Sequence, residues 1–392
     1  MIIKAGELCR MLAGLLSLGG LGVGPCLAGA AFWTTGYYPG WEQAVMPASN
    51  IDYTTLTHVI HFSVVPNPNG TLNSSANNIT AANTAELVTC AHAAGRKALI
   101  CAGGANSETG FQGATSAAHL PEFLSNLTQF MAAGGYDGVD LDWEPLTVAD
   151  APQYTNLVQE LRAALNGFGQ PKLLTAAVGA YPPYGDPPAS EYTLLAGVQS
   201  QFDQINIMTY DLSGAYAGWV TWFNSPIYDG GYRFPSSGAL LPSVDRAVSN
   251  FISNGISPGK LGVGIPFYGY AWMGPNINAP RKSWTTAPTV TQLPYNAIVT
   301  SYYQSNQYHW DTNAQAGFLG ITNSNPANDL FVSYDDQCAC QAKVRYARNR
   351  GLGGVMIWEL TQDHQAGQTD PLLQALKRAL SAPGLPSVPS PP

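Results

Sequence analysis

Charged residues are scarce in this sequence. Only 11% of its 392 residues are Asp, Glu, Lys or Arg, whereas roughly a quarter are charged in an average soluble domain. The 17 Lys and Arg residues are scattered singly, and the 25 Asp and Glu residues bring the net charge to −8. Proteins that bind nucleic acid through phosphate contacts need clustered basic residues. We therefore predict that nucleic acid is not a partner.

Cysteine is also rare, and the usual metal-binding spacings are missing. Two of the six cysteines, Cys9 and Cys26, lie in the first thirty residues. The pairing of the other four is left open by the sequence. No CxxC motif or spaced His pair accompanies Cys338 and Cys340, and no Gly-x-Gly-x-x-Gly motif follows the first predicted strand. We therefore predict no metal site and no cofactor.

Aromatic residues and turn formers are abundant. The chain contains 20 Tyr, 9 Trp, 41 Gly and 29 Pro, and its 45% hydrophobic content excludes a disordered protein. Flat amphipathic rings together with little charge favour a neutral, polar, ring-shaped ligand.

The first thirty residues have the pattern of an export signal. Lys4 and Arg10 precede an apolar run from Met11 to Leu27, and Ala28-Gly29-Ala30 provides small residues for cleavage. Five glycines in the run argue against a stable membrane span, although an uncleaved anchor stays open. We predict a signal peptide over residues 1–30, a secreted protein, extracellular or periplasmic, and no stable membrane association.

Strand-like and helix-like segments alternate along the rest of the chain. Predicted helices include Pro121–Ala133, Pro152–Leu165, Pro242–Asn254 and Cys338–Asn349. Eight alternating apolar strands predict an α/β fold, a (β/α)8 TIM barrel, over residues 31–380, while a doubly wound open sheet fits the same alternation. The predicted strands are Thr34–Tyr38, His58–Val64, Lys97–Cys101, Gly138–Trp143, Leu173–Val178, Gln204–Met208, Leu261–Tyr268 and Gly353–Trp358.

Two segments do not fit the alternation. The connection between the last two predicted strands is too long for a loop and is rich in aromatic and β-branched residues. We predict a small inserted α+β lobe over residues 271–333. The Pro- and Ser-rich residues 381–392 predict a mobile tail.

The chemistry of the sequence is concentrated in one predicted strand. Asp140, Asp142 and Glu144 alternate with apolar residues, so that the three acids share one face. Burial and mutual repulsion should raise at least one carboxyl pKa, which makes Glu144, the last acid, a candidate general acid. A solvated strand face or a Mg²⁺ or Ca²⁺ site are alternatives. The apolar Val139, Leu141 and Trp143 argue against the solvated face.

The segment from Asp137 to Glu144 resembles the Asp-x-x-Asp-x-Asp-x-Glu signature of family 18 glycoside hydrolases, the chitinases and their relatives. The resemblance covers most of the chain, in the order of the family's motifs. The matching segments are Gly36-Tyr37-Tyr38, Gly103-Gly104, Met208-Thr209-Tyr210-Asp211, Pro266-Phe267-Tyr268-Gly269, and the run from Gly353 to Glu359. The resemblance implies a TIM barrel, in some members with an α+β insertion between strands seven and eight.

The resemblance also implies a mechanism and a set of residues. Glu144 would protonate the glycosidic oxygen, while the acetamido oxygen of an N-acetylglucosamine attacks its own C1, giving an oxazolinium ion and retention. Asp142 would orient the acetamido group, Asp140 would tune Asp142, and Tyr210 would donate to the acetamido oxygen. Other residues expected at the sugar are Tyr37, Met208, Asp211, Tyr216, Trp219, Trp222, Tyr268 and Trp358, whereas Asp137 is expected to support the strand.

Four positions depart from the family pattern. Cys101 replaces a serine that bonds to the acid row, Tyr270 replaces an arginine, Tyr216 replaces a tryptophan, and Ala105 lies where an aromatic is common. Subsite preference and exo or endo mode therefore stay open.

Three functions from different classes remain. The first is a secreted, monomeric chitinase that cleaves β-1,4 linkages in chitin or N-acetylglucosamine oligosaccharides. The second is an endo-β-N-acetylglucosaminidase or peptidoglycan hydrolase of the same family. The third is an inactive chitin-binding lectin, which the presence of Glu144 argues against.

Overall fold

The structure is a computed structural model that describes residues 32–180, 189–365, 367 and 369–382. The predicted signal peptide lies outside these residues, as does most of the predicted tail. Within these ranges, no helix combines the length and apolar character needed to cross a bilayer.

A closed barrel of parallel strands forms the centre of the described chain. Strand β1 pairs with both β2 and β14, so the sheet closes on itself. The predicted TIM barrel is therefore confirmed, and the alternative of a doubly wound open sheet is wrong. In the described residues, the eight barrel strands are β1 (Trp33–Pro39), β2 (His58–Pro66), β4 (Lys97–Gly104), β5 (Gly138–Trp143), β6 (Leu173–Gly179), β7 (Gln204–Met208), β8 (Leu261–Pro266) and β14 (Gly354–Trp358). The short β3 (Leu72–Asn73) pairs antiparallel with the end of β2.

Helices surround the barrel and bury apolar faces against it. In α6, the residues Val244, Ala247, Val248 and Phe251 are buried at helical spacing, and the Ser243 side chain caps the first turn. The helices are α1 (Ala81–Ala93), α2 (Glu108–Ala114), α3 (Leu120–Ala133), α4 (Ala151–Asn166), α5 (Ala189–Val198), α6 (Val244–Ser253), α7 (Tyr295–Ser301), α8 (Gln337–Asn349) and α9 (Pro371–Ser381).

The inside of the barrel contains many polar groups. The hydroxyl of Thr35 donates to Gln204 at 2.7 Å, and the indole of Trp33 donates to Asn206 at 3.2 Å. The largest apolar cluster includes residues of the strands and of the surrounding helices. Polar side chains of β1 and β7, which are not neighbours in the sheet, therefore meet inside the barrel without disturbing that cluster.

The predicted lobe is present between β8 and β14, and the described residues there form five antiparallel strands. Their order is β10-β9-β13-β12-β11, and α7 lies between β10 and β11. The predicted strand Leu261–Tyr268 is two strands, because the chain pairs with β14 as far as Pro266 and with the lobe strands from Tyr268 onward. The lobe strands are β9 (Tyr268–Met273), β10 (Thr289–Pro294), β11 (Tyr308–Asp311), β12 (Ala316–Ile321) and β13 (Leu330–Tyr334).

Candidate active site

The three acids of the signature lie at the carboxyl half of β5. Asp140 is 0% exposed and Asp142 is 3% exposed, whereas Glu144, which follows the strand, is partly exposed. The intervening Val139, Leu141 and Trp143 are buried among the apolar residues between barrel and helices. Because side chains alternate along a strand, the acids occupy the inner face of the barrel. The solvated-face alternative is therefore wrong.

Three donors surround the innermost acid. Asp140 accepts hydrogen bonds from the Tyr37 hydroxyl at 2.9 Å and from the Thr175 hydroxyl at 2.5 Å. The thiol of Cys101, its neighbour on β4, donates a third. Burial nevertheless outweighs these bonds and raises the pKa of Asp140 to about 6. Cys101 thus occupies the position predicted for it and still contacts the acid row.

The two outer acids share a hydrogen bond between their carboxyl groups. Burial raises the pKa of Asp142 well above its ordinary value, and the charges of Glu144 and Asp140 add to the effect. Burial also raises the pKa of Glu144, and the charge of Asp211 opposes its ionisation further. A carboxyl that keeps its proton and reaches solvent can act as a general acid. Oδ1 of Asp142 is buried without a hydrogen-bond partner.

Ser107 supports the acid row from outside the signature. Its hydroxyl donates to the backbone carbonyl of Asp142 at 3.2 Å and accepts from the backbone N–H of Glu144 at 3.1 Å. Ser107 is 3% exposed. This role was not predictable from the sequence, because a serine in a loop after β4 belongs to no pattern.

Tyr210 and Asp211 follow the carboxyl end of β7. Tyr210 is buried, and burial together with the charge of Asp142 raises the pKa of its hydroxyl, which stays a donor. Oδ1 of Asp211 accepts from the hydroxyls of Tyr268 at 2.6 Å and Tyr270 at 2.7 Å. The structure thus places Tyr210, Asp211 and Tyr268 together.

Asn224 holds Asp211 in place and was not predicted. Asp211 has a φ of +57°, and its backbone N–H donates to Oδ1 of Asn224 at 2.8 Å. The amide of Asn224 donates in turn to the carbonyl of Tyr268 at 3.2 Å. Its backbone N–H bonds to the hydroxyl of Ser333 on β13 at 2.8 Å. Asn224 therefore connects the loop after β7 with the lobe.

A series of aromatic rings extends outward from the end of β14. Trp358 is partly buried and packs against Tyr37 at 5.7 Å and Phe62 at 4.7 Å between ring centroids. Phe62 contacts Trp41, whose side chain is 44% exposed. Met208 packs in the same apolar cluster as Trp358. Tyr37 is 1% exposed, and it contacts Asp140, Phe62 and Trp358. Trp41 was not among the predicted sugar-binding residues, because a single tryptophan after a strand is part of no recognisable pattern.

The loop after β7 carries a second group of rings. Tyr216 is 61% exposed and lies 5.0 Å from Trp219. The prediction for Trp222 is wrong: its ring is 0% exposed, and its indole N–H bonds to the carbonyl of Pro242. A ring packed in the lobe-side core cannot stack on a sugar.

Asp137 lies apart from the other acids, as predicted from its parity. It accepts from the backbone N–H of Ala98, from Lys97 and from His92. These contacts tie β5 to β4 at the amino end of the barrel.

Across the described ranges, no group of three or more His, Cys, Asp or Glu side chains is arranged to hold a metal ion.

The barrel and its acid row define a class of protein. The sequence matches the model of the family described as Glycosyl hydrolases family 18 over residues 34–363. The chain therefore belongs to family 18 of the glycosyl hydrolases, and the predicted resemblance is confirmed.

Particular relatives and structures agree with this assignment. A probable endochitinase of Caenorhabditis elegans is 31% identical over 313 residues, which cover 72% of this chain and 48% of the relative. A crystal structure of Ostrinia furnacalis group IV chitinase with allosamidin has a TM-score of 0.75 and 24% identity, covering 89% of this chain and 99% of that one. Human YKL-39, described as a pseudo-chitinase with retained chitooligosaccharide binding, has a TM-score of 0.75 and 22% identity, covering 90% and 100%.

The two structural similarities, both below 25% identity, establish the fold alone. The chain spans less than half the length of two of its curated relatives, 48% and 40%. The function is therefore argued from the site.

Proposed function

We propose that the protein is a secreted chitinase that hydrolyses β-1,4 linkages between N-acetylglucosamine units with retention of configuration. The observation that carries the proposal is the pair of carboxyls at the carboxyl end of β5. Buried Asp142 and partly exposed Glu144 share a hydrogen bond, and both have raised pKa values.

This geometry favours participation of the substrate. A retaining enzyme with its own nucleophile places two carboxyls about 5–5.5 Å apart, on either side of the sugar carbon. Asp142 and Glu144 contact each other directly, so they cannot flank a sugar ring between them. The nucleophile is then the acetamido oxygen of the substrate, which attacks C1 while Glu144 protonates the leaving oxygen.

The remaining groups complete the mechanism. The unpartnered Oδ1 of Asp142 accepts the acetamido N–H and so orients the carbonyl toward C1. The hydroxyl of Tyr210 donates to the acetamido oxygen, and the indole of Trp358 forms the apolar floor beneath the sugar. Water then opens the oxazolinium ion from the face that the leaving group vacated, which gives net retention.

Product analysis tests the activity. The purified protein is incubated separately with chitin oligosaccharides, an N-glycoprotein and peptidoglycan, and the products are identified by mass spectrometry. Cleavage of the chitin oligosaccharides to β-anomeric N-acetylglucosamine products supports a chitinase. Release of whole N-glycans or of muropeptides would assign the related hydrolase functions instead, and binding without cleavage would assign a lectin.

A thiazoline analogue of N-acetylglucosamine tests the mechanism. It resembles the oxazolinium ion, so we expect competitive inhibition of oligosaccharide hydrolysis. The oxazoline of the corresponding substrate should also be accepted as a donor. An analogue that does not compete would exclude attack by the acetamido oxygen.

Export is proposed from residues 1–30 alone. N-terminal sequencing of protein recovered outside the cytoplasm should begin near Ala31, whereas recovery of the intact chain in the membrane fraction would favour the uncleaved anchor. Sedimentation analysis tests the predicted monomer.

A further inference from the structure

Lys343 is a buried cation that takes no part in the proposed mechanism. Its side chain on α8 is 0% exposed, and its ammonium group donates to Oδ2 of Asp335 and to the hydroxyl of Ser225. Asp335 directly follows β13 and is 3% exposed, and Ser225 lies in the loop after β7. The three side chains therefore connect a helix of the barrel, the end of the lobe and a loop at the carboxyl end of the barrel.

Stability alone does not account for this buried ion pair. A lysine side chain is seldom fully buried unless it is paired. Removing two charges from water costs about as much free energy as their attraction returns, and well-packed apolar residues in their place often stabilise a fold at least as well. A buried pair with directed hydrogen bonds does, however, give a fixed position to the groups that are bonded to it.

Ser225 transmits this restraint to the segment that carries Tyr210. Its hydroxyl accepts from Lys343 and donates to the backbone carbonyl of Thr209, which is 0% exposed. Because Tyr210 follows Thr209, this carbonyl belongs to the peptide group between the two residues. A peptide group is planar, so fixing its carbonyl limits the direction in which the side chain of Tyr210 leaves the backbone.

The segment depends on such contacts because the pairing of β7 ends just before it. Strand β7 ends one residue before Thr209, and Asp211 has a φ of +57°. Oδ1 of Asn224 accepts from the backbone N–H of Asp211 at 2.8 Å. Asn224 and Ser225, which are adjacent in the chain, therefore bond to the backbone on either side of Tyr210.

We propose that Lys343 is a positioning residue for the reaction and acts through Ser225 on the hydroxyl of Tyr210. The inference rests on the proposed function, in which that hydroxyl donates to the acetamido oxygen of the reacting sugar. The ammonium group polarises the Ser225 hydroxyl and so strengthens the bond that this hydroxyl donates to Thr209. The hydroxyl of Tyr210 is then directed at the acetamido oxygen before the substrate binds.

Ser225→Ala breaks the connection and keeps the ion pair between Lys343 and Asp335. We expect kcat for chitin oligosaccharides to fall about tenfold, because a displaced donor no longer meets the acetamido oxygen as it attacks C1. KM should change by no more than about twofold, because the lost interaction is strongest in the transition state. The matched control is Thr57→Val, which removes a hydroxyl that donates to the carbonyl of Thr34 at 3.1 Å, at the amino end of the barrel. It should leave kcat unchanged.

A second background separates positioning from a purely structural role. Tyr210→Phe removes the hydroxyl on which the inference depends. In this background Ser225→Ala should lower kcat by no more than about twofold, because the effects of two residues that act through one group are not additive. The affinity for the thiazoline analogue, measured by calorimetry, should show the same non-additivity and requires no turnover.

The contribution of Lys343 is measured by removing the ion pair as a unit. Lys343→Met alone leaves a buried, unpaired charge on Asp335, which destabilises the fold. Lys343→Met combined with Asp335→Asn removes both charges. We expect kcat of this double variant to fall about threefold, less than in Ser225→Ala, because the Ser225 hydroxyl can still bond to Thr209. The loss should again disappear in the Tyr210→Phe background.

The outcomes distinguish this inference from the proposed function. Losses of equal size from Ser225→Ala in both backgrounds would overturn the inference alone, because the effect would not pass through Tyr210. An unchanged kcat in Ser225→Ala, or in the variant without the ion pair, would overturn it as well. An unmodified protein that neither hydrolyses chitin oligosaccharides nor binds the thiazoline analogue would overturn the proposed function, and this inference with it.

Discussion

Gly103 of β4 lies directly beside Asp142 of β5. The two are register partners, and Gly103 has a φ of +116°. A Cβ at Gly103 would lie 2.0 Å from the backbone oxygen of Asp142. The close approach of the strands at this point therefore depends on a residue without a side chain.

Gly103→Ala should displace Asp142 and destabilise the barrel. We expect a loss of more than ~2 kcal/mol in the free energy of unfolding, from backbone strain plus the clash. Hydrolysis should fall with it. Gly95→Ala is the matched control, because Gly95 has a φ of +70° and no atom within 4 Å of its added Cβ. Equal effects of the two substitutions on unfolding and kcat would contradict the prediction.

Glu144→Gln should remove the proton donor and little else. We expect kcat to fall by ~10²-fold or more, because general acid catalysis typically contributes that much. Oligosaccharide binding, measured by calorimetry, should remain. Near-normal turnover in this variant would show that another group supplies the proton.

Cys101 offers a way to change the charge of Asp140 without touching the acid. A serine hydroxyl is a stronger donor than a thiol, so Cys101→Ser should lower the pKa of Asp140, and Cys101→Ala should raise it. Because a charged Asp140 raises the pKa of Asp142, the alkaline limb of the pH–rate profile should move up in the serine variant and down in the alanine variant. Identical limbs in both variants would exclude this coupling.

Asn224→Ala should act on the active site through Asp211. The substitution leaves the N–H of Asp211 and the carbonyl of Tyr268 without their partner, which costs ~1–3 kcal/mol per buried group. We expect KM for oligosaccharides to rise about tenfold. The control Asn126→Ala, which removes one bond from α3 to Gly70 in the turn between β2 and β3, should leave KM unchanged. An effect on melting temperature without one on KM would assign Asn224 a structural role only.

The contribution of two buried carboxyls to the stability of the protein should decrease as the pH rises from about 4 to above 7. Burial raises the pKa of Glu359 and that of Asp363 to about 7 each, whereas the unfolded chain loses these protons near its ordinary carboxyl pKa values. In this window the two carboxyls bind more protons in the folded state, so their contribution to stability is lost as the pH rises. Burial lowers the pKa of His58 and of His61, which gives a contribution of the opposite sign. Glu359→Gln removes one of the two carboxyls, so it should reduce the melting temperature at pH 4.5 minus that at pH 8, both measured by calorimetry. An unchanged or larger difference in this variant would contradict the pKa shift of Glu359.

The sequence predicted the strands in which apolar residues recur at a regular spacing. The strand Gln204–Met208 has the predicted bounds, and Gly138–Trp143 does as well, because apolar residues alternate along both segments. The run Leu261–Tyr268 is equally apolar, yet it divides at Phe267. That division depends on a change of pairing partner, from β14 to a strand of the lobe, and no local pattern records partners that are distant in sequence.

The same distinction holds at the site. The acid row was predictable, because alternation along one strand decides which residues share a face. Ser107 and Asn224 were not, because their partners lie on other elements. Trp219 and Trp222 are three residues apart in one loop, and only the packing of Trp222 under the lobe separates a ring available to ligand from a core residue.

The lobe has a consequence for redesign of the protein. Strands β8 and β14 pair directly, so the barrel is closed whether or not the chain makes its detour through the lobe. A shortened chain that joined these strands would keep the eight-stranded cylinder. It would also remove Tyr268, Tyr270 and Ser333, and Asp211 would lose both the hydroxyls that orient it and the anchor of Asn224. The lobe and the active site are therefore not independent parts of the protein. A replacement for the lobe would have to contain residues equivalent to those three.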